Sequence, residues 1–119
     1  MGRDFEIELG APEPVEGGER CVAVARAPHD LKYVEGHFPG HPIVPGVAQL
    51  LPLVYRQVRR AWPDLPAASA IRRLKFLEAL HPGDVLEVSL LRSDAKVRFE
   101  IKRGELTCSH GVLVFPCGS

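Results

Sequence analysis

Gly36-His37-Phe38-Pro39-Gly40-His41-Pro42-Ile43-Val44-Pro45-Gly46 gathers three glycines, three prolines and two histidines into one short stretch. Proline fixes φ, and glycine sits where the chain turns or approaches something closely, so a stretch crowded with both reads as a rigid loop. The residues that follow recur with helical spacing, which puts the end of the loop at a helix N-terminus. A rigid loop that bears a histidine and ends there is a place for chemistry, since loops carry reactive groups and the first N–H groups of a helix lack partners. His37-x-x-x-His41 has the separation of a zinc pair. Pro39 and Pro42 forbid the helix that would bring those rings together, and no third ligand is suggested, so no metal is expected. Cys21, Cys108 and Cys117 are odd in number and without paired spacing. The first two fall on expected strands as small core fillers, Cys117 is near a terminus, and no nucleophilic role is indicated for any of them.

The elements around this loop are mostly strands. Residues 96–102 alternate polar and apolar without a break, and residues 86–90 alternate too, with 92–95 as the hairpin connection between them. Arg103-Gly104-Glu105 makes a second turn before the Val- and Leu-rich stretch 106–115. Residues 71–77 read as a further strand closed by the turn His81-Pro82-Gly83-Asp84, and 5–9 and 21–25 as two shorter ones joined by a loop over 10–18. One segment breaks the β pattern. Val47, Leu50, Leu51, Val54 and Val58 form an apolar helical stripe that Trp62 prolongs, opened by Pro45-Gly46 and closed by Trp62-Pro63-Asp64. Pro52 stands in its second turn, where it removes a backbone hydrogen bond at a cost of about 3 kcal/mol unless the helix bends or starts later. A kinked or late-starting helix is therefore predicted. One buried helix and about six antiparallel strands make an α+β fold, taken as a single domain over residues 1–119.

Composition sets the outer bounds. The 119 residues carry 15 Lys+Arg against 15 Asp+Glu, are 45% hydrophobic and 25% charged, and so suit an ordinary globular domain. Net neutrality argues against general nucleic-acid binding. No apolar run approaches the roughly 20 residues of a membrane helix. The first six residues lack an apolar signal core, so export is not expected, and unpaired cysteines suit a reducing cytoplasm.

The loop and its continuation to Val47 resemble the signature G-H-F-P-G-x-P-I-x-P-G-V of the hotdog-fold 3-hydroxyacyl-acyl-carrier-protein dehydratases, with every fixed position present. The stretch from Lys75 to Asp84 resembles the family's second landmark, a strand entering a P-G-D turn, and the likeness spans roughly residues 30–92. The continuation Gln49-Leu50 is more similar to the short dehydratase-like proteins of aryl-polyene-type gene clusters than to the fatty-acid housekeeping enzymes. What the resemblance implies is a dimer whose sheets each wrap a central helix, with acyl chains bound at the interface and no cofactor. It makes His37 the base that takes a proton from C2 of a 3-hydroxyacyl thioester, a task suited to a side chain that titrates near neutrality. It makes the Gly46 N–H the donor to the thioester carbonyl, where the helix start would stabilise a developing enolate. Phe38, Pro39, Val47, Gln49, Leu50 and Leu51 would then line the substrate's path.

One part is missing. The family places a Glu or Asp five residues after that glycine, contributed from the partner subunit, to help the 3-hydroxyl leave as water. Here the position holds Leu51. On the apolar stripe it reads as a core or tunnel-lining residue. Gln49 lies roughly 200° around the helix from it, and an amide can bind a hydroxyl without protonating it. Glu35 and Glu78 are nearby carboxylates whose spacing gives no reason to expect the role. Three outcomes follow: a dehydratase with an unconventional acid, an impaired acyl-thioester-binding subunit working in a mixed dimer with a homologue, or a thioesterase. Arg56, Arg59, Arg60, Arg72, Arg73 and Lys75 are either a solvated face or a docking surface for an acidic acyl carrier protein or the phosphates of CoA.

Overall fold

The computed structural model describes residues 3–31, 46 and 49–116. Its C-terminal half is two successive hairpins, β5 (Val85–Ser93), β6 (Lys96–Arg103) and β7 (Leu106–Val114). Leu86, Val88 and Leu90 of β5 and Val97, Phe99 and Ile101 of β6 are buried, while Glu87, Lys96 and Arg98 between them are exposed. That is the one-dry-face pattern their alternation predicts. The first hairpin turns more tightly than expected, because Arg92 and Ser93 still pair with Val97 and Lys96 and leave Asp94-Ala95 at the tip.

Among the described residues seven strands form one antiparallel sheet in the order β1-β3-β5-β6-β7-β4, with β2 pairing beside β1 on the same side of β3. The N-terminal strands are β1 (Glu6–Leu9), β2 (Glu13–Val15) and β3 (Gly18–Arg26), and β4 (Ala70–Phe76) forms the opposite edge. The expectation of six strands is corrected by β2, which lies inside the stretch expected to be a loop. Its Pro14 has no N–H to give, but β2 has a neighbour on one side only, and an edge is where a strand tolerates proline.

Across the buried face runs the helical segment, and Pro52 shapes it. Among the described residues Gln49–Tyr55 is π-helical and Arg56–Ala61, helix α1, is α-helical, with Gly46 helical ahead of them. The helix is thus disturbed around the proline, as a proline in its second turn predicts, and the wider π turn accommodates the missing hydrogen bond. Gln57, fully buried, donates from Nε2 to the Pro52 carbonyl at 2.9 Å. The wider turn also shifts the apolar stripe. Leu53, Val54, Val58 and Trp62 are buried, whereas Leu51, expected in the core or a tunnel, is 56% exposed. No helix among the described residues is long and apolar enough to cross a membrane.

The turn at 81–84 is the type its residues dictate. Pro82 leads, Gly83 has φ +93°, and the Asp84 N–H closes on the His81 carbonyl at 3.1 Å. The Asp84 carboxylate accepts the His81 N–H at 2.9 Å and an Arg103 guanidinium N–H at 3.1 Å. The same turn is stitched to the end of β3 through Ala27 N to the Asp84 carbonyl and Gly83 N to the Ala27 carbonyl.

Candidate functional site

His37, Phe38, Pro39 and Val47 lie outside the described residues, as do Glu35, His41 and Cys117. What the structure does place is the end of the loop and everything it abuts. Gly46 is helical and half-buried. A Cβ built on it would lie 2.9 Å from Cζ and 3.0 Å from Cε2 of Phe76, the last residue of β4. The tip of the ring occupies the space a side chain would need, so a larger residue here would have to push the Phe76 ring aside. Phe76 is 47% exposed, with the tip of its ring against Gly46. Sequence reasoning saw Phe76 only as a strand residue. Nothing in its spacing from Gly46 announces the contact.

At the other end of β4 is an apolar cavity of about 360 Å³ between the strand and the π-helical segment. Leu50, Leu51, Tyr55, Ile71 and Leu113 line it, and it continues onto Ala68–Ala70 at the start of β4. The Tyr55 hydroxyl accepts the Ala68 N–H at 3.1 Å, which fixes the chain entering β4 against the helix. Leu50 is half-buried and Leu51 exposed, both at this opening, whereas Gln49 is 3% exposed and turned to the interior. The two sides of the segment therefore separate Gln49 from Leu51. Among the described residues no carboxylate lines the cavity, and Glu78 is exposed two residues beyond the end of β4. An opening of this composition can hold a hydrocarbon chain and offers no proton donor stronger than a hydroxyl.

The six cations expected to act together fall into two sets. On α1, Arg56 pairs with Asp4 at 3.3 Å, Arg59 donates to the Leu65 carbonyl at 2.7 Å and Arg60 to the Gln57 side chain at 2.9 Å. These contacts fasten the helix end to its surroundings. On β4, Arg72, Arg73 and Lys75 are exposed and have no ion pair among the described residues. The thiols of Cys21 and Cys108 are pushed above the ordinary cysteine range by burial, which suits structural rather than reactive groups.

The family model described as ApeI-like: ApeI dehydratase matches residues 13–112. The chain belongs to this ApeI-like dehydratase family. It is 30% identical over 114 residues to the 3-hydroxyacyl-[acyl-carrier-protein] dehydratase FabZ of Natranaerobius thermophilus, covering 87% of this chain and 80% of that one. It is 31% identical over 84 residues to the same-named protein of Clostridium acetobutylicum, covering 66% of this chain and 60% of that one. Against the first such curated relatives the chain spans about 60% of their length. Among solved structures, the ApeI-like fold is shared with the dehydratase heterocomplex ApeI:P of Xenorhabdus doucetiae, at TM-score 0.77 and 23% identity over 95% of this chain and 99% of that one. An uncharacterized protein from Erwinia carotovora subsp. atroseptica follows at TM-score 0.71 and 22% identity over 92% and 93% of the two chains. The architecture is thus the hotdog fold of that family, an antiparallel sheet wrapped around one helical segment.

Proposed function

We propose that the protein is a 3-hydroxyacyl-acyl-carrier-protein dehydratase-like member of its family, acting on an acyl thioester in the cytoplasm. The observation that carries this reading is the family match across residues 13–112. In it His37 removes the C2 proton and the Gly46 N–H holds the thioester carbonyl as charge develops on it. The acyl chain follows Leu50 and Leu51 into the apolar opening beside β4, with Phe38, Pro39, Val47 and the interior Gln49 completing its path. Carrier protein approaches the basic residues of β4 rather than those of α1, because the α1 arginines already have partners.

The working unit in this reading is a dimer closed along the apolar side of β4, which leaves Arg72 and Lys75, opposite Val112 and His110 on the outer face, to the carrier protein. Leu51, Ile71, Leu74, Phe76 and Leu77 are all exposed in the single chain, and they cluster at that edge and the opening next to it. A second copy of this chain is the occupant we assign.

A second reading rests on Leu51. An exposed leucine where the family places a carboxylate aimed at the partner's site is what a binding subunit would carry, its competent homologue supplying the acid. The neighbour from Xenorhabdus doucetiae is itself a dehydratase heterocomplex.

Incubation of the pure protein with a 3-hydroxyacyl-acyl carrier protein, followed by mass spectrometry for loss of water, tests both. Dehydration that disappears in His37→Ala supports the enzyme. An inactive wild type that gains activity in Leu51→Glu, by the roughly 10²–10⁴ that a general acid supplies, supports the binding subunit. Release of free thiol would sink both in favour of thioester hydrolysis.

A further inference from the structure

The most unusual backbone in the sheet is at Arg73. Register slips between the pairs Arg72–Val112 and Lys75–His110, so Arg73 and Leu74 together stand where β7 offers one residue, and Arg73 has φ 54°. A residue with a side chain seldom adopts that left-handed conformation, and a bulge of this kind re-aims the side chain it carries. The strand period fixes what it meets. Ser89, Leu91, Arg98, Glu100, His110 and Val112 lie on the outer face of the sheet, opposite the buried Val88, Leu90, Phe99 and Leu113.

Together with Arg73 these residues surround a hollow of about 450 Å³ on the outer face. Neither Arg73 nor Arg98 has a carboxylate partner among the described residues. Glu100 is the carboxylate that lines the hollow, and it accepts a hydrogen bond from the Thr107 hydroxyl at 3.0 Å. From β4, Lys75 stands opposite His110 and Arg72 opposite Val112, adding positive charge at the rim.

We infer that this hollow binds a phosphate ester. Two guanidinium groups offer paired N–H donors that match the oxygens of a phosphate, and their joint charge suits a dianion better than a single carboxylate. The His110 imidazole and the Ser89 hydroxyl supply further donors, and Leu91 and Val112 form an apolar floor for the carbon chain of the ester. The site lies on the face of the sheet away from the helix, and its pantetheine-arm source rests on the proposed approach of carrier protein to β4. The phosphate could be carried on a pantetheine arm or belong to a free phosphorylated metabolite, and the probes separate these sources.

The test is titration of the full chain with inorganic phosphate, glycerol 3-phosphate and pantetheine 4′-phosphate, followed by NMR at Ser89, His110 and Val112. Arg73→Gly removes the guanidinium and suits the left-handed backbone, so its melting temperature is expected to hold or rise. The expected result is saturable shifts at those residues, with the dissociation constant raised roughly tenfold in Arg73→Gly and in Arg98→Ala. Lys102→Ala, on β6 but outside the hollow, changes it by less than about twofold. Pantetheine 4′-phosphate binding more tightly than glycerol 3-phosphate assigns the phosphate to the arm, and equal binding assigns it to a free metabolite. Absence of saturable shifts, or equal weakening in all three variants, overturns the proposal.

Discussion

At one edge of the sheet, β1 is four residues long, exposes Glu6 and Glu8, and turns Ile7 and Leu9 against the core. At the other, β4 is seven residues long and nearly all exposed, with Ile71, Leu74 and Phe76 among its open side chains. Short, charged strands are how a sheet declines further pairing. The β1 edge is finished in that sense. The β4 edge combines two opposite devices, since Arg72, Arg73, Lys75 and the bulge discourage indiscriminate strand addition while the apolar side chains invite contact. An edge that is guarded and adhesive at once is suited to one particular partner, and the apolar opening beside Leu51 lies on the same side.

The sharpest way to break this contrast is to truncate one aromatic on each side of it. Phe99→Ala, at a residue 1% exposed, should cost about 3–5 kcal/mol in urea unfolding. Phe76→Ala, in a sample held monomeric, should cost less than about 1 kcal/mol, since surface changes seldom exceed that. Equal costs would mean that β4 belongs to the core. Next in size, Gly46→Ala should cost about 1 kcal/mol or less, because the half-exposed Phe76 ring must swing away from the added methyl, and Phe76→Leu in the same chain should recover most of it. A double variant no better than the single one would show that the ring is not what opposes the added methyl.

Association offers a finer cut. Ile71→Lys should shift sedimentation to the mass of one chain with little change in far-ultraviolet circular dichroism, whereas Ile7→Lys at the β1 edge should lower stability and leave association alone. The smallest effect concerns the buried thiols. Burial raises both pKa values, so the stability they contribute is complete below the unfolded thiol value of about 8.5 and is lost as pH rises beyond it. In a Cys117→Ser background, Cys108 should react with a thiol reagent faster than Cys21. Its backbone carbonyl holds the chain leaving β4 through Leu77 and Glu78, and the more exposed edge opens first.

Much of the fold could be read from the chain because strands β5 to β7 alternate cleanly and the 81–84 turn contains the residues its geometry needs. Two features were hidden for local reasons. Glu13-Pro14-Val15 looks like a loop because proline and its glycine neighbours mask a strand that an edge position permits. Pro52 advertised a disturbed helix, but a π-helical segment that turns Leu51 outward depends on the packing of Leu53, Val54 and Gln57 against the sheet. Of the candidate site, the glycine- and proline-rich loop was legible in the residues themselves, and the leucine at position 51 stood out only through the family resemblance. The Phe76–Gly46 contact and the outer-face hollow were not legible, because each joins residues that only strand pairing and a bulge bring together.

In the proposed dimer, the ring of Phe76 in the space beside Gly46 would make assembly along β4 and acyl-thioester binding at the helix start thermodynamically reciprocal. Phe76 ends the edge strand, so a neighbour that draws β4 outward also draws the ring away from the helix start, and one that presses β4 inward holds it there. Whatever factor pairing applies to the affinity of a ligand at the helix start, that ligand must apply to pairing. Subunit dissociation constants measured with and without a bound acyl thioester would read this factor directly, and Phe76→Leu should bring it toward one.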